Sequence, residues 1–378
     1  MNKSIHKIVL TGPPCSGKST AISRVVEFVN SLGVRAVSAP EAATELKING
    51  ITPENYKDPA MFQTFLIEKL LFNESFFTRA LRHSKGVMEN GGIVVCDRGL
   101  HDCLAYSDKE SVERTLFVHH ELSLEKEISS RYAMAIFMDV APKKYYTNQN
   151  NSAREETYTE ALLLGSKTAT AWVGHPNLIL VGNNYDDFDG KVNAVIQNVA
   201  QLVGVPEPLA IERKYLVRDR QSIVLEKFLE RKQAVCVNIV QHYLIGDGEE
   251  RVRAWTRDSV TTYFHTKKSN EPSVQRIKTE KIISRAKYEE LLRSADPECA
   301  PIEKVRHYFI DNNQYFRLDT FPHNSGAHLL EVQPTTEQEH ITLPDCLSCC
   351  AIEVTDEAMY YNYNIARELE KQRRLVNE

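Results

Sequence analysis

The stretch HKIVLTGPPCSGKSTAISRVV, His6 to Val26, decides the reading of the first half of this chain. It opens with an apolar, β-branched run that reads as a buried strand. It continues as Gly12-Pro13-Pro14-Cys15-Ser16-Gly17-Lys18-Ser19-Thr20, in which Gly12 to Ser19 has the spacing G-x-x-x-x-G-K-[ST], and then takes on helical periodicity. Glycines let the backbone curl so that its N–H groups converge on an anion. The helix beginning near Lys18 adds the positive end of its dipole. Lys18 can reach the β- and γ-phosphates, and Ser19 offers a hydroxyl to Mg²⁺. The stretch predicts a site for Mg²⁺ with GTP or ATP.

Working outward, the runs VRAVSAP, GGIVVCDRG, AMAIFMDV and NLILVGN are short and nearly continuous in apolar character, as strands covered on both faces require. Helical patterns separate them, and the long one from Phe62 is expected to run to Gly91-Gly92. This alternation predicts a parallel, doubly wound α/β sheet, with residues 1–205 as its domain. Asp97 ends the run IVVCD and is expected to share the Mg²⁺ shell with Ser19 or to take a proton from an acceptor hydroxyl. Arg98 stands ready for a substrate phosphate or carboxylate. Asp139, in AIFMDV, is the rival acid and ranks below Asp97 because the Asp-Arg pairing suits phosphate transfer. Glu41 follows Pro40 at the sheet edge where ligands collect, and could bind a sugar hydroxyl or metal-bound water. Arg154, in the polar stretch Asn148 to Glu156, is a candidate lid arginine.

Past Pro206 and Pro208 the character changes. LAIERKYLV, AVCVNIVQHYLI, ERVRAWTRD, VTTYFHTKK, EKVRHYFID, QYFRLDTF and AHLLEVQ are strand-like and separated by polar turns, so residues 206–378 read as an antiparallel α+β domain. Charged residues recur at period two: Glu212 with Lys214, Arg251 with Arg253, Arg276 with Lys278 and Glu280, Lys304 with Arg306, Glu331 with Gln333. A barrel with a charged lumen produces that pattern. Lys268 joins these as a candidate anion ligand.

The whole chain has 378 residues and a formal net charge of -5, which gives no global case for nucleic acid; any basic site must be local. No apolar run approaches the roughly 18–20 residues that span a bilayer, and no signal-type h-region leads the chain. A cytoplasmic location is expected, with peripheral membrane contact left open. Cys346, Cys349 and Cys350 lack the second ligand pair that a structural zinc site needs.

The motifs GPPCSGKST, APEAATEL, CDRGLHDCLAY, NNSAREE and HPNLILVGN, in this order, resemble the P-loop kinase-like ATPases related to NadR ribosylnicotinamide kinase. An [NT]-K-x-D guanine-reading motif is absent. LAIERKYLV, with the later strands, resembles the CYTH, or triphosphate tunnel, domain, which implies an anion-binding tunnel whose carboxylates hold divalent metal. Here Ala210 stands where that family's first E-x-E-x-K glutamate is expected and Gln333 where an acid is common, which implies a weak metal site and little triphosphatase activity. The two domains together resemble the TRPL translocation defect protein family. That resemblance implies a trafficking protein that binds GTP and a phosphoinositide. The competing expectations are a nucleoside-type small-molecule kinase and a tunnel triphosphatase.

Overall fold

A computed structural model describes residues 4–58, 60–146, 156–203, 212–218, 222–246, 250–268, 278–322, 327–334 and 339–377. The chain divides into two compact units, Met1–Val199 and Ala200–Glu378.

In the first unit, strands β1 (Ile5–Thr11), β2 (Arg35–Ala39), β3 (Gly92–Asp97), β4 (Met134–Met138) and β5 (Leu178–Val181) form a parallel sheet in the order β2-β3-β1-β4-β5. The apolar runs are buried because helices cover both faces: Ile8, Val9, Leu10, Val94, Val95 and Ile136 are excluded from solvent. The helix Lys18–Ser31 docks through Ala21, Val25 and Val29, spaced four apart on one stripe. Since β3 lies to one side of β1 and β4 to the other, the chain reverses its winding beside β1. The carboxyl ends of β1 and β3 therefore border a crevice at the switch point, and the phosphate loop and Asp97 both sit there. The long helical pattern breaks earlier than its periodicity suggests. One helix runs Ala60–Arg82, and a short one, Val87–Asn90, starts after Gly86, whose φ of 81° is left-handed.

The second unit is an antiparallel sheet of nine strands among the described residues. They are β6 (Arg213–Arg218), β7 (Val235–Tyr243), β8 (Arg251–Arg257), β9 (Val260–Lys268), β10 (Lys278–Ile283), β11 (Ile302–Asp311), β12 (Gln314–Thr320), β13 (Ala327–Val332) and β14 (Ala351–Glu353). Their order is β10-β9-β8-β7-β11-β12-β13-β6-β14. Two tight hairpins carry it. Asp258-Ser259 and Asn312-Asn313 each place two consecutive residues at positive φ, the turn that matches strand twist and that Asp and Asn tolerate.

The period-two alternation of charge separates two faces. One is apolar: Val217, Phe309, Phe316, Leu318 and Leu330 pack under Phe228 and Leu229 of the helix Ser222–Arg231. The opposite face carries the charges. Its end is closed by the helix Asn362–Asn377, where Ala366 packs with Leu216, Tyr243, Ile302 and Leu329. Gln333 departs from the expected pairing with Glu331: β13 ends at Val332, and Gln333 is exposed beyond it.

Candidate functional site

The phosphate loop is built by its neighbours as much as by its glycines. Gly12 has φ 138°, and a Cβ there would strike the carbonyl oxygen of Met138 at the end of β4. Gly17 has φ 89° and lies under the ring of Phe188, leaving no room for a side chain. Cys15 adopts φ 58°, and its carbonyl accepts from the Ala141 N–H at 3.1 Å. Pro13, Pro14 and Ser16 are buried, whereas Ser19 and Thr20 are exposed on the first turn of the helix. Lys18 is only 4% exposed and folds back over its own loop. Its ammonium donates to the carbonyls of Gly12 and Pro13, both at 2.9 Å, and to Ser16 Oγ at 3.1 Å.

Asp97, Arg98 and Glu41 come together at the adjacent strand ends. Arg98 Nε donates to Glu41 Oε1 at 2.6 Å, and the Thr44 hydroxyl donates to Glu41 Oε2 at 2.5 Å. Burial pushes the Glu41 carboxyl up, but Arg98, Lys18 and Thr44 outweigh it and hold the group at about 2. Burial drives Asp97 the other way, up to about 6; Lys18 and Arg98 pull it down, while Glu41 and Asp102 add to the rise. Asp97 Oδ1 and Arg98 Nη1 are buried without a hydrogen-bond partner among the described residues. They border a small cleft, open to solvent, that Pro40, Leu70, Asn73 and Glu74 complete. So Glu41 is occupied in orienting Arg98, and Arg98 keeps one N–H for a ligand. Asp139 accepts from the Val140 N–H at 2.8 Å, and its own carbonyl accepts from Lys191 Nζ at 2.6 Å. Arg154 lies outside the described residues.

A carboxylate not singled out by the sequence reading ties this site together. Asp102, 3% exposed, accepts from the Thr11 hydroxyl, from Trp172 Nε1 at 3.1 Å and from the Gly99 N–H at 2.7 Å. It joins the residue before Gly12, the loop carrying Arg98, and the end of the helix Tyr158–Ala171. Arg98 itself has φ 68°, a conformation held by its N–H on the Leu10 carbonyl at 3.0 Å. Glu74 was also missed. It is buried with Lys7 at 2.8 Å, Arg131 at 2.9 Å and the Tyr132 hydroxyl at 2.5 Å, a knot that props the cleft from behind. The only signal for Asp102 was its position within CDRGLHD.

In the second unit one face gathers most of the predicted tunnel residues. Lys304 Nζ donates to Asp319 at 2.6 Å. Arg306 donates to Asp319 at 2.6 and 2.7 Å and to Glu331 at 2.8 Å. Lys214 reaches Glu331 at 3.4 Å, and Arg317 donates to Glu212 at 2.7 Å. Arg253 pairs with Glu280, which also accepts from the Thr266 hydroxyl at 2.8 Å. Burial raises both Asp319 and Glu331, yet Arg306 and its neighbours overcome this and hold both below the usual carboxylate range. Burial lowers Lys304 to about 8 despite Asp319. Lys268 ends β9 with its backbone opposite Lys278. Arg276 and Ala210 lie outside the described residues.

Other carboxylates nonetheless share this face. Asp319, hidden in FRLDTF, and Glu280 stand on the charged face with Glu331. The sequence reading missed Asp319 and Arg317 although they stand two apart in QYFRLDTF, the same period-two spacing that Lys304 and Arg306 show. No group of three or more His, Cys, Asp or Glu that could hold a metal occurs among the described residues. Nor is any helix among them long and apolar enough to cross a membrane.

Residues 7–185 match the AAA domain family profile. Among solved structures, an inorganic triphosphatase is 26% identical, covers 43% of this chain and 97% of its own, and superposes with a TM-score of 0.29. NadR protein in complex with NR is 17% identical over 55% of this chain and 54% of its own, with a TM-score of 0.39. Thymidylate kinase from Ehrlichia chaffeensis is 15% identical over 53% of this chain and 99% of its own, with a TM-score of 0.35. No curated protein matches the chain.

Proposed function

We propose that the protein is a nucleotide-regulated binding protein with two phosphate sites. The loop at Gly12–Thr20 takes a nucleoside triphosphate, GTP in the first place and ATP as the alternative. The charged face of the second unit takes a phosphorylated small molecule or phosphoinositide headgroup. The observation that carries this reading is the loop itself: two positive-φ glycines hemmed in by Met138 and Phe188, and a buried Lys18 resting on loop oxygens that a phosphate would replace as its partner. Mg²⁺ would be held by the exposed Ser19 hydroxyl and by Asp97, whose Oδ1 is a buried carboxylate oxygen still wanting a partner. Bound there, Mg²⁺ would neutralise charge on the β- and γ-phosphates. The resemblance to the TRPL translocation defect protein family extends the reading to a cytoplasmic role in membrane-protein trafficking, with peripheral membrane contact. Binding of GTP and ATP to the wild type and to Lys18→Ala tests it: affinity should fall by about two orders of magnitude or more on losing this charge-assisted contact, and equal affinity would sink the loop reading.

One observation favours a kinase as the second reading. Asp97, raised to about 6 and beside the free N–H of Arg98, has the protonation range of a general base for an acceptor hydroxyl. Acceptor-dependent loss of the γ-phosphate, abolished by Asp97→Asn, would establish it. Nucleotide that stays intact with every nucleoside tried would reject it. A tunnel triphosphatase is disfavoured by Ala210 and by the pairing of the remaining carboxylates.

A further inference from the structure

The CYTH resemblance implies a divalent metal in the second unit, and the residues of the charged face do not fit one. A divalent ion needs about six oxygens, and even Mg²⁺, which keeps several waters, needs one or two carboxylates free to turn toward it. Among the described residues, each carboxylate on the face is already committed to a cation: Glu212 to Arg317, Glu280 to Arg253, Asp319 to Lys304 and Arg306, Glu331 to Arg306 and Lys214. To capture a metal, the face would have to break these pairs and strand buried guanidinium groups, which is costly.

Charge balance points the same way. Among the side chains that make these pairs, with Arg251 added, six cations meet four carboxylates, an excess of two positive charges. A divalent cation would double that excess in a poorly solvated space, whereas one phosphoryl dianion would cancel it. The donors to receive such a group are present. Arg251 Nε, Arg253 Nε and Gln241 Nε2 are buried without a hydrogen-bond partner among the described residues. The strand register sets Gln241 directly opposite Arg253, with Arg251 two residues along on the same face. They adjoin the Arg306–Asp319–Glu331 cluster, whose own hydrogen bonds are made: the Arg306 guanidinium acts on Arg253, and Gln241 lies in register with Ile302 of β11.

We propose that the charged face binds a phosphoryl dianion directly, through Arg251, Arg253 and Gln241, without a divalent metal. This rests on the reading of the second unit as a phosphate site and narrows its chemistry. The dianion could be carried by an inorganic polyphosphate or by a lipid headgroup, and the two sources need separate arms.

The test is calorimetric titration of the full chain carrying Lys18→Ala, which silences the loop. Tripolyphosphate is the probe in one arm and a soluble inositol bisphosphate headgroup in the other, each in EDTA and in millimolar Mg²⁺ or Mn²⁺. Headgroup affinity is expected to agree within about threefold between buffers, and tripolyphosphate to bind no better with metal, which competes for the anion. Arg251→Ala with Arg253→Ala should weaken binding by about tenfold or more in both buffers, since two charge-assisted hydrogen bonds are lost. The buffer comparison needs no change to the face, so it stands even if the double variant misfolds. Binding about tenfold tighter with metal, or Mn²⁺-dependent phosphate release, would overturn the inference while leaving the phosphate site intact. No binding of either probe in either buffer would overturn the site and the inference together.

Discussion

Asp319→Asn should be among the most damaging polar substitutions in the second unit. Asp319 is 1% exposed and receives three hydrogen bonds at 2.6–2.7 Å from Lys304 and Arg306. The amide cannot compensate their charge. Arg306 keeps Glu331 at 2.8 Å, while Lys304 is left with Asn362 Oδ1 at 3.4 Å. Removing one partner of a buried pair costs about 3–5 kcal/mol. For a unit of this size that corresponds to a fall in Tm of roughly 6–20 °C. Lys304 titrates at about 8 in the folded protein, below its usual value, and the variant lowers it further by removing an attractive carboxylate. A lysine depressed in the folded state loses stability as pH falls from its unfolded value through its folded one. The penalty should therefore be larger at pH 6 than at pH 9, where the variant's lysine sheds its proton. The chain has two tryptophans, Trp172 in the first unit and Trp255, buried beside Tyr308, in the second. Unfolding followed by Trp255 fluorescence in a Trp172→Phe background reads the second unit. A loss under about 1 kcal/mol, or one independent of pH, would refute the picture of a dry, charge-locked cluster.

Other substitutions test other parts of the molecule. Gly12→Ala should abolish nucleotide binding, because its Cβ collides with the Met138 carbonyl and φ 138° excludes it; equilibrium dialysis retaining wild-type affinity would contradict the loop geometry. His175, buried with its ring nitrogens engaged by the Tyr132 carbonyl and the Asn177 N–H, is lowered by burial to about 4. Its unfolded form takes a proton first, so it removes about 3 kcal/mol as pH falls from about 6.5 to 4. Asp97, raised to about 6, acts in the opposite sense between about 6 and 4, so the comparison must be His175→Gln against wild type, with a difference that grows only below pH 6.5. Asp102→Asn turns an acceptor into a donor facing the Gly99 N–H. Amide exchange at Gly99 should accelerate by about tenfold or more; unchanged exchange would remove Asp102 from its place at the centre of the loop contacts.

The sequence conveyed the two fold classes because both rest on periodicity. Continuous apolar runs made β1, β3 and β4, and alternating charge made the inward face of β8 and β11. The phosphate loop was legible because its spacing is itself a backbone requirement. What stayed hidden were partners set by cross-sheet register. Arg306 meets Asp319 because β11 and β12 pair antiparallel, 13 residues apart in sequence. Thr11 meets Asp102 across 91 residues, a distance no local pattern can encode. The role given to Glu41 changed for the same reason, since only the fold brings Arg98 to its carboxylate.

Two separate phosphate sites are best tested by one crossed titration. Wild type, Lys18→Ala, and Arg251→Ala with Arg253→Ala would each be titrated with Mg²⁺–GTP and with the inositol bisphosphate headgroup in EDTA. Loss of GTP binding alone in the first variant, and of headgroup binding alone in the second, is the expected result. Loss of both ligands in either well-folded variant, or of neither, would contradict it.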